Sequence, residues 1–411
     1  MKSAVKFLII LAVTAILSAA FYAFAETAVQ LPQEWIEQYA EKFPNSEIGI
    51  KHRFPDIPDD WSTDALVKAV QNGLLNGSDG KILPADNLTR AQLATIMVRA
   101  FGASEAADVS SFTDLSSDQW FYNDMAKSVK MGIFRGDGSG IIRPNDSITR
   151  QEVFTVISRA FAINGSDIAI LADFPDGNMV ADWASEATAS LIAQGYISGS
   201  GGYINPQNPI TRAEFAQIMK NLVDAYITEE GVYEEVPEGN IIVRAPGVVF
   251  SNASFNGDVF VGEGVGKSIT FSNCTSEHRV VIRGGKSTVL TGTFANINVV
   301  GSDLVINASG ATVAECINNT NSTVTLSDNN TKEDDEKLPA DDNTEADGEK
   351  LPADDNTEAD GEKLPADDNT EADGEKLPDS ETAETENNDA EEEKKPASKD
   401  EDGDGWTDGW Y

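Results

Sequence analysis

Apolar residues recur every three to four positions through Trp61, Ala65, Leu66, Ala69, Val70 and Leu74, and Gly73 falls near the end of the run. This period gathers the apolar side chains on one face of an α-helix, and a glycine at that place stops it. The stretch that follows, LLNGSDGKILPADN, is full of turn formers and carries a proline, so it reads as a loop. A second helix is expected after Thr89, with Leu93, Ile96, Met97 and Ala100 on one face, and EVFTVISRAF and EFAQIMKNLV repeat its pattern downstream. Thr211 and Glu214 fit a capping box, in which hydroxyl and carboxylate each satisfy an orphan backbone N–H of the first turn. One helix pair buries too little apolar surface to stand alone, so three pairs are expected to share a core.

The period is visible in other landmarks too. Phe54-Pro55-Asp56, Phe112-Thr113-Asp114 and Phe174-Pro175-Asp176 open three units; Trp61, Trp120 and Trp183 follow; Pro84, Pro144 and Pro206 precede the second helices. Arg90, Arg150 and Arg212 stand at the same place in each, 60 and 62 residues apart. From residue 240 to 327 the texture changes to Val, Ile, Phe, Thr, Asn and Gly in short runs such as VVF, DVFV, SITF, RVVI, STVL, NINVV and DLVIN. Even spacing with turn residues between predicts either a β-sandwich or a short β-solenoid, and the uniform Asn/Gly turns favour the solenoid, of about four or five coils. Cys274 and Cys316 are 42 residues apart, about two coils, too far for a disulfide between coils stacked about 4.8 Å apart. Beyond it, EKLPADDNTEADG occurs three times unchanged, and residues 331–411 hold 32 acidic and 8 basic residues. Such a segment is expected to be a disordered, extended acidic spacer.

Charge and composition narrow the function. The 411 residues carry a formal charge of -39, which would repel nucleic acid and anionic membranes. Two Cys and two His leave no disulfide scaffold or zinc cluster. Lys2 and Lys6, an apolar run from Phe7 to Leu17 and an Ala23-Phe24-Ala25 ending read as a secretory signal peptide, so the mature chain is expected to begin near Glu26 and to span no membrane. The organisation expected is residues 1–25 signal, 26–52 linker and helix, 53–105, 106–166 and 167–226 the three repeats, 227–239 linker, 240–327 the β-rich module, 328–399 the acidic spacer and 400–411 an aromatic tip.

Candidate chemistry begins with the three arginines. A cation in the first helical turn opposes the helix dipole at a cost of a few tenths of a kcal/mol, up to about 1. Two readings stay open: each pairs with a local carboxylate such as Asp56, Asp114 or Asp176, or each points its guanidinium into a groove to bind an external anion. Gly77, Gly136 and Gly199, 13 or 14 residues upstream, could add a nest of backbone N–H groups. With F-x-D, the helix-leading Trp, the Gly-rich loop with its Pro and the T-R-A-E helix start in order, residues 54–223 resemble three S-layer homology domains. The resemblance implies a pseudo-threefold helical triad whose inter-unit grooves bind a secondary, peptidoglycan-associated wall polysaccharide, commonly pyruvylated. It places Arg90, Arg150 and Arg212 as anion contacts, the three glycines beside them, and Trp61, Trp120 and Trp183 as groove wall or core. Gln92 stands in the first repeat where the family has Glu, and Gln151 in the second where it has Ala, which puts equal affinity of the three grooves in doubt.

The fold class expected is therefore multidomain: a helical triad, an all-β module and a disordered tail, in a secreted wall-anchored structural protein. Asp258, Glu263, Glu277, Asp303 and Glu315 are too scattered for the paired carboxylates of a glycosidase, so no catalysis is expected. The alternatives are a surface-anchored glycan-active enzyme, or an adhesin or scaffold with surface-protein partners that uses the tip. There Asp400, Asp402, Asp404 and Asp408 match four positions of a calcium loop whose twelfth, Tyr411, is no ligand; weak calcium binding is the one cofactor the sequence suggests.

Overall fold

The computed structural model describes residues 32–327. The signal peptide, the acidic spacer and the aspartate-rich tip lie outside the described residues. Helices α1 (Gln33–Lys42) and α2 (Glu47–Arg53) precede three helix pairs: α3 (Thr63–Gln71) with α4 (Arg90–Phe101), α5 (Tyr122–Lys130) with α6 (Arg150–Phe161), and α7 (Asp182–Ala193) with α8 (Arg212–Leu222). The second helix of each pair starts at a complete capping box, Thr89 with Gln92, Thr149 with Glu152 and Thr211 with Glu214. These three are the central helices, and Leu93, Ile96, Phe154, Ile157 and Phe215 lie in the common core with almost no exposure.

The first helix of each pair packs on the second helix of the preceding repeat: α5 on α4, α7 on α6 and, closing the circle, α3 on α8. At the start of the second helices the backbone completes the ring. Leu88 N donates to Ile210 O (3.0 Å), Ile210 N to Ile148 O (3.1 Å) and Ile148 N to Leu88 O (2.9 Å). Three repeats thereby satisfy one another's main-chain groups, which a single repeat would have to leave to water.

The β-module is a three-sided parallel β-solenoid of six levels. Its strands are β1 (Ala225–Ile227), β2 (Gly231–Tyr233), β3 (Ile241–Val243), β4 (Val248–Ser251), β5 (Ser254–Phe255), β6 (Val259–Val261), β7 (Ser268–Ile282), β8 (Ser287–Val299), β9 (Val305–Asn318) and β10 (Thr323–Leu326). One side climbs from Ala225 through Ile241, Val259, Val280 and Ile297 to Cys316, each in parallel register with the next. Inside, Phe250, Phe255, Phe271 and Phe294 stack with ring centroids 5.1 to 6.0 Å apart.

Two expectations are corrected. Residues 227–239 are not a plain linker, because they finish β1 and supply β2, which pairs with β4. The module therefore starts at Ala225 and has six levels rather than four or five. Cys274 and Cys316 are both free, and they sit on different sides of the coil as well as two levels apart.

The module is docked on the triad. Ile242, Phe260 and Val281, successive rungs of one outward-facing ladder, belong to the triad's own core, and Phe260 meets Phe161 edge-on at 4.9 Å. Around this apolar centre, solenoid side chains meet the C-terminal ends of the helices. Arg244 donates to Arg99 O (2.6 Å) and Asn72 O (2.8 Å); Arg279 to Ala162 O (2.6 Å); Arg283 to Met131 O (2.7 Å), Arg159 O (3.1 Å) and Ala160 O (3.2 Å). Asn240 serves Leu222 O at 3.0 Å. The last four carbonyls of a helix have no partner within it and carry its negative partial charge, so a guanidinium is well matched to them. Asp258 and Glu263 hold Arg279 and Arg283 from the solenoid side, each at 3.0 Å. Backbones touch here too: a Cβ on Gly264 would stand 2.3 Å from Arg244 O and 3.1 Å from the Cα of Gly102.

Candidate inter-repeat grooves

Each groove of the triad runs between the second helix of one repeat and the first helix of the next. At its floor sits the first-turn arginine. Arg90 Nε donates to Ile142 O (2.8 Å) and Nη1 to Glu152 (2.8 Å); Arg150 Nε donates to Ile204 O (2.8 Å) and Nη1 to Glu214 (2.9 Å). Arg212 closes the circle by donating Nε to Ile82 O at 2.6 Å. The glutamate that receives the cation is the capping-box residue of the following repeat, and the position equivalent to it for Arg212 carries Gln92.

The three arginines are 8, 6 and 5 % exposed, and two of them pair with a carboxylate, though of the following repeat rather than of their own neighbourhood. Their guanidinium groups are buried rather than open in the grooves, and the carboxylates that Arg90 and Arg150 bond are Glu152 and Glu214. Asp56, Asp114 and Asp176 accept the backbone N–H groups of Ile82 and Leu83, Ile142 and Arg143, and Ile204 and Asn205, which latches each Gly-rich loop just where its carbonyl receives the arginine. Leu83, Arg143 and Asn205 all have positive φ there, a strained state that the two hydrogen bonds offset. Burial lowers the pKa of all three arginines, and that of Arg212 to about 10 in spite of Asp86 and Asp56.

After each of Gly77, Gly136 and Gly199 the next N–H turns inward to close a hairpin, Ser78 onto Lys81 O, Asp137 onto Ile141 O and Ser200 onto Tyr203 O. The glycines are required by packing, since a Cβ would lie 2.6 Å from the ring of Phe54, 2.4 Å from that of Phe112 and 2.5 Å from Tyr203 O. The tryptophans, by contrast, face solvent: Trp61, Trp120 and Trp183 are 61, 38 and 57 % exposed. Each leads the helix that forms one wall of a groove. Ala181 N, two residues before Trp183, donates to Gln151 beside Arg150 at 3.0 Å, which ties that wall to the arginine's helix.

Spacing alone did not disclose Lys68, Lys220 and Tyr226, which line a cleft farther along the groove between α8 and α3. Among the described residues no group of three His, Cys, Asp or Glu is placed to hold a metal ion, and no helix is long and apolar enough to cross a membrane. Asp400, Asp402, Asp404 and Asp408 fall outside the described residues.

The S-layer homology domain family matches residues 53–94, 111–154 and 173–216. The triad consists of three S-layer homology domains. The surface-layer 125 kDa protein of Lysinibacillus sphaericus is 31% identical over 169 residues, 40% of this chain and 14% of that protein. The S-layer protein sap of Bacillus anthracis is 30% identical over 44% of this chain and 22% of its own length, and the exoglucanase XynX of Acetivibrio thermocellus 30% over 42% and 16%. The stretches in common thus amount to less than a quarter of each of these relatives. The S-layer homology domains and the S-layer relatives indicate a cell-surface or cell-wall location.

Proposed function

We propose that the protein is a structural component of the cell surface, fastened without covalent bonds to a secondary wall polysaccharide through the inter-repeat grooves, and that the triad holds the solenoid out as a rigid display. The observation that carries this reading is the threefold recurrence of an exposed tryptophan on the wall of a groove whose floor is a buried, braced arginine. Indole faces stack on the apolar faces of sugar rings, which suits a wall polysaccharide, a pyruvylated one among them. In this reading Arg90, Arg150 and Arg212 set groove width, the loops at Gly77, Gly136 and Gly199 form the rim, and Trp61, Trp120 and Trp183 make contact.

The test is co-sedimentation of the secreted chain with wall sacculi, intact and stripped of their secondary polymer. Wild type is expected in the pellet only with intact sacculi, and Trp61→Ala, Trp120→Ala and Trp183→Ala together are expected to leave it in the supernatant while the helical circular dichroism stays unchanged. Equal pelleting of stripped sacculi, or of the triple variant, overturns the reading.

The exoglucanase among the relatives supports a second reading, a glycan-active enzyme held by the same triad. Against it, four of the five carboxylates named in the sequence are engaged: Asp258 with Arg279, Glu263 with Arg283, Asp303 with Asn321 and Glu315 with Asn296. Release of reducing sugar from wall glycans by the isolated protein would favour the enzyme.

A further inference from the structure

The three grooves differ at one end. Where α8 runs beside α3, Lys220 and Lys68 line a cleft with Ala65, Ala69, Met219 and Val223. In the other two grooves the equivalent pairs are Val98 with Lys127, which is held by Asp124 at 3.3 Å, and Ser158 with Ser190. This is also the groove that the chain itself extends, because β1 follows α8 directly and brings Tyr226 to the end of the cleft.

The hydroxyl oxygen of Tyr226 is buried and has no hydrogen-bond partner among the described residues. Leaving such a group unmet costs about 1–3 kcal/mol, a penalty that a phenylalanine would avoid. Arg244 lies over the other part of the ring at 4.9 Å, and burial raises the hydroxyl's pKa, so it stays a donor across the range in which proteins are folded. Lys220 pairs with Asp64 at 3.1 Å, the aspartate being largely exposed. A phenol donor without an acceptor, the ammonium groups of Lys68 and of Lys220, the latter shared with Asp64, and an apolar lining form a receptor for an anion.

We propose that this cleft is a binding subsite for an acidic substituent of the wall polymer, a carboxylate or phosphate that accepts from the Tyr226 hydroxyl and lies between Lys68 and Lys220. It rests on the anchoring reading above. Strand β1 of the solenoid is thereby part of the wall-binding site, which a triad without the module would lack.

The experiment is calorimetric titration of the full secreted chain with purified polymer fragments in three forms: native, carboxyl-reduced and phosphate-stripped. Tyr226→Phe is expected to weaken binding of the native fragment several-fold and Lys68→Gln with Lys220→Gln about tenfold, the effect of one charge-assisted hydrogen bond. One of the two modified fragments should bind wild type as weakly as the native fragment binds the variants, and which one does identifies the acid. If Tyr226→Phe binds the native fragment as wild type does and melts higher, the hydroxyl served a single water only and the subsite is overturned alone. If wild type binds none of the fragments, the anchoring reading falls and takes the subsite with it.

Discussion

An arginine in the first turn of a helix opposes the dipole, and here the opposition is met from outside the repeat. The glutamate of one capping box serves two ends, closing its own helix and receiving the arginine of the repeat before. In the first repeat the capping residue is Gln92, which closes its box but carries no charge. Glu214→Gln is expected to leave α8 capped and to destabilise the triad by about 1–3 kcal/mol in urea titration, whereas Gln92→Glu, which places a carboxylate at the position equivalent to Glu152 and Glu214, is expected to raise the midpoint. The T-x-x-E/Q frames and their arginines were legible in the sequence. Their targets were not, since Arg90 reaches Ile142, 52 residues on, and Arg212 reaches Ile82, 130 residues back. Exposed aspartates in the loops give a pH dependence. Hydrogen bonds from Ser62 to Asp60, from Ser110 to Asp108, from Ser116 to Asp118 and from Ser139 to Asp137 lower these carboxyls below their ordinary 3.8. Their folded pKa values lie below the unfolded ones, so their contribution is complete above pH 3.8 and is lost as pH falls through the folded values. The melting temperature is expected to decline over that acid range, and Asp137→Asn to make the decline shallower.

Elements were legible in proportion to their length and period. Six helices of the triad show three-to-four-residue spacing, and two sides of the solenoid show alternating Val, Ile and Phe. The third side escaped because it is built of pieces such as Ser254–Phe255 and the stretches at 274–276, 292–294 and 311–313, two or three residues each and rich in Ser, Thr, Ala and Gly. The first level escaped because glutamates and a proline surround GVY. Where helix ends meet the solenoid, Arg283 serves the termini of α5 and α6 together. Arg283→Met is expected to cost about 3 kcal/mol, since it orphans Glu263 and three helix carbonyls at once, and chemical denaturation measures it.

At the scale of the molecule, order along the chain was readable and docking was not. The order helical triad then solenoid follows from texture alone. The joint depends on residues far apart in sequence, such as Arg283 with Met131, 152 positions away, and on glycines whose role is to let two backbones meet. Triad and solenoid are expected to melt as one calorimetric transition. Gly264→Val, which would drive a side chain into Arg244 and Gly102, is expected to divide it into two.

The placement of the junction arginines has a mechanical consequence. The solenoid is joined covalently only to the end of the third repeat, yet Arg244 grips carbonyls of the first and Arg279 and Arg283 those of the second. Tension applied through the solenoid is therefore shared among all three repeats in parallel, instead of peeling the third away from the ring. An anchor loaded in this way keeps its hold until several links fail together, a property suited to a protein pulled by flow at the cell surface.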